Sequence, residues 1–276
     1  MVSGLAALAR STHPGPAIAV TLISVVLAIG AGLDPWRVAL LGVAVGLNQA
    51  SVGLSNDWID AARDRAVGRT DKPVALGQIS ASAVRSAAIA CAVAAVLLTA
   101  PLGWAATLAH TVFIGSAWAY NAGLKSTAVS VLPYVLSFGI LPLVVTLARS
   151  EPALAAPWAL ALGALLGVAA HFANVLPDLD DDRATGVSGL PHRLGRRASG
   201  IATWAALVAA SAIAVTGAGE PTVVQWAGLA ATLAIAAVGT VLVLRRPPTR
   251  LLFQLIITAA LVNVVLLAFA GERLLA

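Results

Sequence analysis

The residues of this chain best able to do chemistry lie in one short stretch, NDWIDAARDRAVGRTDKPVALG, Asn56 to Gly77. Asp57, Asp60, Asp64 and Asp71 are interleaved there with Arg63, Arg65, Arg69 and Lys72. Asn56, Asp60 and Asp64 follow one another at four-residue spacing, which keeps them on one face of a helix with a drift of ~40° per step. Like charges at that spacing repel, so the stripe requires a counter-charge. Several carboxylate oxygens together suit a hard divalent cation, and Mg2+ commonly bridges one or two carboxylates to a substrate phosphate. The basic residues then have a use: Arg63, Arg65, Arg69 and Lys72 can grip phosphate oxygens that the cation leaves open.

The pattern occurs twice. At an offset of 118 residues, Asn56 matches Asn174, Asp60 matches Asp178, Asp64 matches Asp182, and Arg65 matches Arg183. Gly68 and Gly186, Pro73 and Pro191, and Gly77 and Gly195 continue the register, so both loops read N-x3-D-x3-D-R-x2-G-x4-P-x3-G. Eight of the 12 acidic residues fall in these two loops. Solvation of a loop gives no reason for a duplicated four-residue spacing. The repeat predicts a duplicated four-helix unit, near residues 14–125 and 131–244, followed by one more helix. Pro177, just before Asp178, predicts a kink at that point.

The elements that position these stripes are apolar helices. The chain is 59% hydrophobic and only 11% charged, against roughly 25% charged in a soluble domain; its mean hydropathy is +0.92. Nine uncharged runs read as transmembrane helices: Ala17–Leu33, Val38–Ser55, Ser82–Ala100, Leu102–Tyr120, Val131–Ala148, Trp158–Leu176, Ile201–Thr216, Val223–Leu244 and Leu251–Ala270. The expected fold is therefore all-α, a nine-helix multi-pass membrane protein made as one domain over residues 1–276. At ~20 residues each the spans leave only short loops, with no room for a separate soluble domain. The first run is longer than a signal-peptide core and reads as an uncleaved helix. If alternate loops share a face, all of the 17 Lys and Arg residues except Arg37, Arg149 and Arg273 collect on the side of the two Asp loops. The positive-inside rule then puts that side and the N-terminus in the cytoplasm and the C-terminus outside. The sequence pI of 10.3 reflects this juxtamembrane charge, and nucleic acid is not expected as a partner. Arg85, Arg196, Arg197, Arg245 and Arg246 read as solvated topogenic charges. One cysteine, Cys91, excludes an intrachain disulfide or thiolate metal site.

At these residues the chain resembles the UbiA superfamily of intramembrane prenyltransferases. NDWIDAARD matches the family's NDxxDxxxD motif in full, and Asp178 and Asp182 in DLDDDRATG match its DxxxD motif. LPHRLGRR resembles the usual end of that second loop, and AYNAGLKS resembles the family's Tyr/Lys loop, with Tyr120 and Lys125. The chain departs from the common pattern at His13-Pro14 and Lys72-Pro73, where Arg-Pro is usual, and at Val187-Ser188, where a basic pair is often found. The resemblance implies Mg2+-dependent prenyl transfer from an isoprenoid diphosphate to a lipophilic or aromatic acceptor within the cell membrane. It implies Asn56, Asp57, Asp60, Asp64, Asp178 and Asp182 as the metal site, with Asp60, Asp64, Asp178 and Asp182 central to catalysis. Arg63, Arg69, Lys72, Lys125 and Arg193 are the expected diphosphate contacts. Tyr120, His171, Phe172 and Asn174 are expected to line the substrate pocket; the two aromatic rings can shield a cation and His171 can take an acceptor proton.

Two other functions fit parts of the pattern. A terpene cyclase on the same scaffold would ionise the same diphosphate and close the cation on itself. An ion-coupled transporter also uses repeats and intramembrane acids, but near the bilayer midplane, whereas the middles of all nine runs here are uncharged.

Overall fold

The computed structural model describes residues 4–177, 179, 182, 186–217, 219–245 and 250–276. Among them the regular elements are helices: α1 (Gly4–Ser11), α2 (Pro14–Gly30), α3 (Pro35–Ile59), α4 (Ala61–Ala66), α5 (Ala81–Thr99), α6 (Trp104–Asn121), α7 (Leu132–Leu147), α8 (Pro157–Val175), α9 (Leu190–Gly217), α10 (Val223–Arg245) and α11 (Arg250–Ala268). Proline opens α2, α3, α7 and α8, where its missing N–H is not needed and its fixed φ suits the first turn. Ser80 caps α5 by accepting the N–H of Ala83 at 3.2 Å. Every expected span coincides with a helix to within four residues at each end, except the seventh, which lies inside the longer α9. That helix begins at Leu190 and is broken at Gly195 (φ 81°, ψ 171°).

Among the described residues five helical segments are long and apolar enough to cross a membrane: α3, α5 with its following turn, α8, α9 and α10. A sixth joins them if α1 and α2, bent by 60° at the Thr12–His13 break, form one span. The remaining helices are shorter or less apolar; α7, at 16 residues, spans ~24 Å at 1.5 Å per residue, short of the ~30 Å hydrocarbon core. The apolar windows of α5 and α10 are each only 22% buried within the chain, so their large outward-facing side chains, such as Leu97 and Val241, require an apolar surrounding.

The helices close a ring. From α2 each long helix packs on the next in chain order, α5 lying against α3, and α11 returns to α2. One core cluster runs through the ring, including Leu27, Leu41, Phe113, Leu162, Leu207 and Ala259. A smaller cluster of Leu54, Ala61, Val74, Val84 and Ala88 pins the first Asp loop to α3 and α5. Burying Val74 there contributes about 1.5–3 kcal/mol relative to leaving it exposed. Gly167 sets the α7–α8 distance: a Cβ on it would stand 2.3 Å from the Tyr134 carbonyl oxygen. Shifted by 118 residues, the bounds of α2, α3, α5 and α6 become 132–148, 153–177, 199–217 and 222–239, and these overlap α7, α8, α9 and α10 in turn.

Candidate active site

The first stripe is built by α3 running on to its loop. Asn56 and Asp57 lie in the last turn of α3, Asp60 joins α3 to α4, and Asp64 lies in α4. The helical hydrogen bonds continue through the join: Asp60 N–H donates to Asn56 O at 3.0 Å and Asp64 N–H to Asp60 O at 2.8 Å. The side chains therefore keep the register that the spacing predicts, and the Asn56 amide donates to Asp60 Oδ2 at 3.1 Å.

All three aspartates are buried: Asp57 is 1% exposed, Asp60 5% and Asp64 2%. Buried carboxylates need paired charge, and the chain brings it from three places. Lys125 Nζ, from the turn after α6, contacts both oxygens of Asp60. Arg63 Nη2 lies 3.0 Å from Asp60 Oδ2 and 3.5 Å from Asp64 Oδ1. Lys72 Nζ lies 3.1 Å from Asp57 Oδ1 and 3.2 Å from Asp64 Oδ2, and it donates to Asn56 Oδ1 at 2.7 Å. His13 Nε2 adds a contact of 2.8 Å to Asp57 Oδ1. Burial lowers the Lys125 pKa, against the opposing pull of Asp60.

The cage leaves acceptor capacity over. Asp57 Oδ2 and Asp64 Oδ2 are buried without a hydrogen bond, the latter facing Lys72 only at ion-pair distance. Hard oxygen ligands of this kind fit Mg2+. Among the described residues no three His, Cys, Asp or Glu side chains converge as a ready cation cage, since each aspartate closes on a Lys or Arg instead.

Other expected contacts lie elsewhere. Arg69 forks onto Asp71 at 2.8 Å through both Nε and Nη2, near the surface, and this pair holds the Asp71 carboxyl down to about 2. Arg193 Nε donates to Ser188 O at 3.0 Å, also at the surface. Asp178 lies outside the described residues. Asn174 is exposed, and Asp182, 24% exposed, has its Oδ2 3.3 Å from His192 Nε2.

Tyr120, His171 and Phe172 do come together. Tyr120 packs edge-on against Tyr134 (5.1 Å between centroids) and His171 (5.8 Å), and His171 lies 5.6 Å from Phe172. Tyr120 sits in the electrostatic field of both Asp60 and Asp182. The turn carrying Lys125 also meets the second loop: Ser130 Oγ accepts the N–H of Leu190 at 2.8 Å and lies 3.1 Å from His171 Nε2. His171 Nδ1 is buried without a hydrogen-bond partner. An apolar cavity of 690 Å³, open on one side, lies along α6, α7 and α8 and is lined by Leu124, Leu143 and Leu160 among others.

Three residues were not selected by pattern. Asn121 donates to Val52 O and Ser55 Oγ at 2.9 and 2.8 Å, locking α6 to the end of α3; its place between Tyr120 and Lys125 in AYNAGLKS was the available signal. Tyr134 gave none, being one aromatic in an apolar run. His13 stood out only as a departure from Arg-Pro.

The UbiA prenyltransferase family model matches residues 17–262. No curated protein matches the chain. Among solved structures, a UbiA homolog from Archaeoglobus fulgidus bound to GPP and Mg2+ is similar at a TM-score of 0.72 and 12% identity, covering 97% of this chain and 99% of that one. An apo UbiA homolog from Aeropyrum pernix K1 gives 0.67 and 20%, covering 92% and 96%. A digeranylgeranylglyceryl phosphate synthase gives 0.67 and 15%, covering 98% and 99%. At these identities the structural likeness speaks for the fold alone.

Proposed function

The chain belongs to the UbiA prenyltransferase family, and we propose from this premise that it transfers a prenyl group from an isoprenoid diphosphate to a lipophilic or aromatic acceptor, with Mg2+, inside a membrane. The observation that carries this reading is the buried cage of Asp57, Asp60 and Asp64 closed by Lys72, Lys125 and Arg63. It holds acid and base in equal number where a cation and an anion could enter together. The Archaeoglobus homolog bound to GPP and Mg2+ supports that pairing.

In this reading Asn56, Asp57, Asp60, Asp64, Asp178 and Asp182 hold the cation. Bound Mg2+ supplies positive charge against the diphosphate and lowers the cost of its departure. Lys72, Lys125 and Arg63 turn from the carboxylates to phosphate oxygens, and Arg69 and Arg193 reach the diphosphate from the surface. The allylic C–O bond breaks, the diphosphate keeps the electron pair, and the ring faces of Tyr120, Tyr134 and Phe172 shield the carbocation. The acceptor attacks that carbon and gives up a proton, which His171 takes through Nδ1 in this reading. The prenyl tail follows the cavity that Leu124 lines. All nine long helices cross the bilayer, the shorter ones where it thins, with the Asp loops cytoplasmic. The matching helix bounds at 118 residues support a duplicated four-helix unit.

The test uses the full chain in lipid nanodiscs with allylic diphosphates of increasing length, Mg2+, and a panel of quinone precursors, other aromatics and glycerol or sugar phosphates. A prenylated product that EDTA abolishes is expected, and Ala164→Phe, which fills the cavity, should shift use toward shorter donors. No diphosphate release from any donor, with any acceptor, would sink the reading. The aromatic cluster serves a terpene cyclase equally, and a cyclic hydrocarbon or alcohol formed without acceptor would assign that reaction instead.

A further inference from the structure

His13 is the one non-glycine residue with positive φ among the described residues, at φ 51° and ψ 65°. An L side chain is strained there, and such strain persists only where the surroundings over-determine it. The surroundings are visible. Thr12 packs its carbonyl on Gly53 of α3 so closely that a Cβ there would stand 2.3 Å away. Arg10 ties α1 to the first Asp loop through Asp71 O at 3.2 Å and Gln78 Oε1 at 3.4 Å. The elbow between α1 and α2 is thus clamped onto the loop, and the product of the clamp is a 2.8 Å contact from His13 Nε2 to Asp57 Oδ1.

We propose that His13 is a positioning residue: it fixes Asp57 so that the unbonded Oδ2 is presented to the cation. This rests on the metal-dependent reading above. Both polar neighbours of Asp57, His13 and Lys72, sit on Oδ1, and Oδ2 is buried with no hydrogen bond. Lys72 divides itself among Asn56, Asp57 and Asp64 and is the group that turns to phosphate. Among the described residues His13 has no second carboxylate within ion-pair distance, and in this proposal it stays on Asp57 throughout. A ligating carboxylate held through its other oxygen keeps its orientation, and loss of such a support typically costs ~10–100-fold in metal affinity.

The experiment reads Mn2+ binding by electron paramagnetic resonance, with geranyl diphosphate present, on the full chain in nanodiscs, alongside thermal unfolding. His13→Gly removes the contact and also relieves the strained backbone. It should weaken Mn2+ binding by about tenfold while the melting temperature holds or rises. His13→Arg restores a donor and should bring the affinity back most of the way. Unchanged Mn2+ affinity in His13→Gly would overturn the proposal, as would weakened binding that only accompanies a lower melting temperature and that His13→Arg fails to restore. If the native chain itself binds no Mn2+ with the diphosphate, the metal-dependent reading fails, a result distinct from equal binding by native and variant chains.

Discussion

Among their described residues the two Asp loops share backbone features and differ in surroundings. Arg69 N–H donates to Asp64 O at 3.0 Å in the first, and Val187 N–H donates to Asp182 O at 3.0 Å in the second, the same turn 118 residues on. Gly68 and Gly186, and likewise Gly77 and Gly195, take matching positive φ values of 70° and 81°, 69° and 81°, a backbone that glycine adopts without strain. The side chains around the turn diverge. Lys72, which bridges two aspartates of the first loop, corresponds to Leu190, and Lys125 corresponds to Val243. The Asp64 side chain is 3% exposed and that of Asp182 24%. A buried carboxylate must have its counter-charge built in, whereas one open to water is also stabilised by solvent. The first loop therefore arrives with its counter-charges built in, and Asp182 of the second is the more open to solvent.

That difference is sharpest in stability. Asp60→Asn leaves Lys125 and Arg63 facing a neutral side chain in a buried site, and removal of one partner of a buried pair costs about 3–5 kcal/mol. The variant should melt at a clearly lower temperature in the absence of substrate and lose at least ~10²-fold in turnover. An unchanged melting curve would break the contrast, since it would mean that the cage is as solvated as the second loop.

Asp182→Asn should lose activity to a similar degree but cost under about 1 kcal/mol in stability, because its surroundings are partly wet. Thermal unfolding and diphosphate release measured side by side check this. Full activity in Asp182→Asn would divide the two loops into one working and one vestigial copy.

The smallest effect belongs to Asp71, which lies in the first loop yet outside its cage and is 60% exposed. The hydrogen bonds from Arg69 lower its folded pKa to about 2 from 3.8. The pair's contribution is therefore present above pH 3.8 and is lost as pH falls toward 2. Screening keeps it below about 0.5 kcal/mol, so Asp71→Asn should melt like the native chain at pH 7, and the two should differ least below pH 3. A destabilisation comparable to that of Asp60→Asn would show that the cage extends to the surface.

Much of this was legible in the residues. Continuous uncharged apolar runs located the long helices, because a helix long enough to cross a bilayer must be apolar over its length. Four-residue spacing put Asn56, Asp60 and Asp64 on one stripe, because that spacing is a property of the helix itself. Three things were not legible. Arg69 shares the first loop with Arg63 and Lys72, and Arg193 follows the second loop, yet both bond at the surface, since burial depends on how the chain folds back. Tyr134 joined the aromatic cluster only because Gly167 lets α7 approach α8. His13 met Asp57 only because the elbow docks on Gly53.

Sequence by itself determined which chemistry was available: a doubled acidic stripe, interleaved bases and apolar helices to carry them, all set by local spacing and hydropathy. Tertiary structure decided which charges neutralise which. Lys125 reaches Asp60 from 65 residues away and His13 reaches Asp57 from 44, and pairings over such separations follow from the packing of the ring rather than from any local rule. Coulomb attraction acts over a few ångströms in space, and only the folded ring says which residues stand that close.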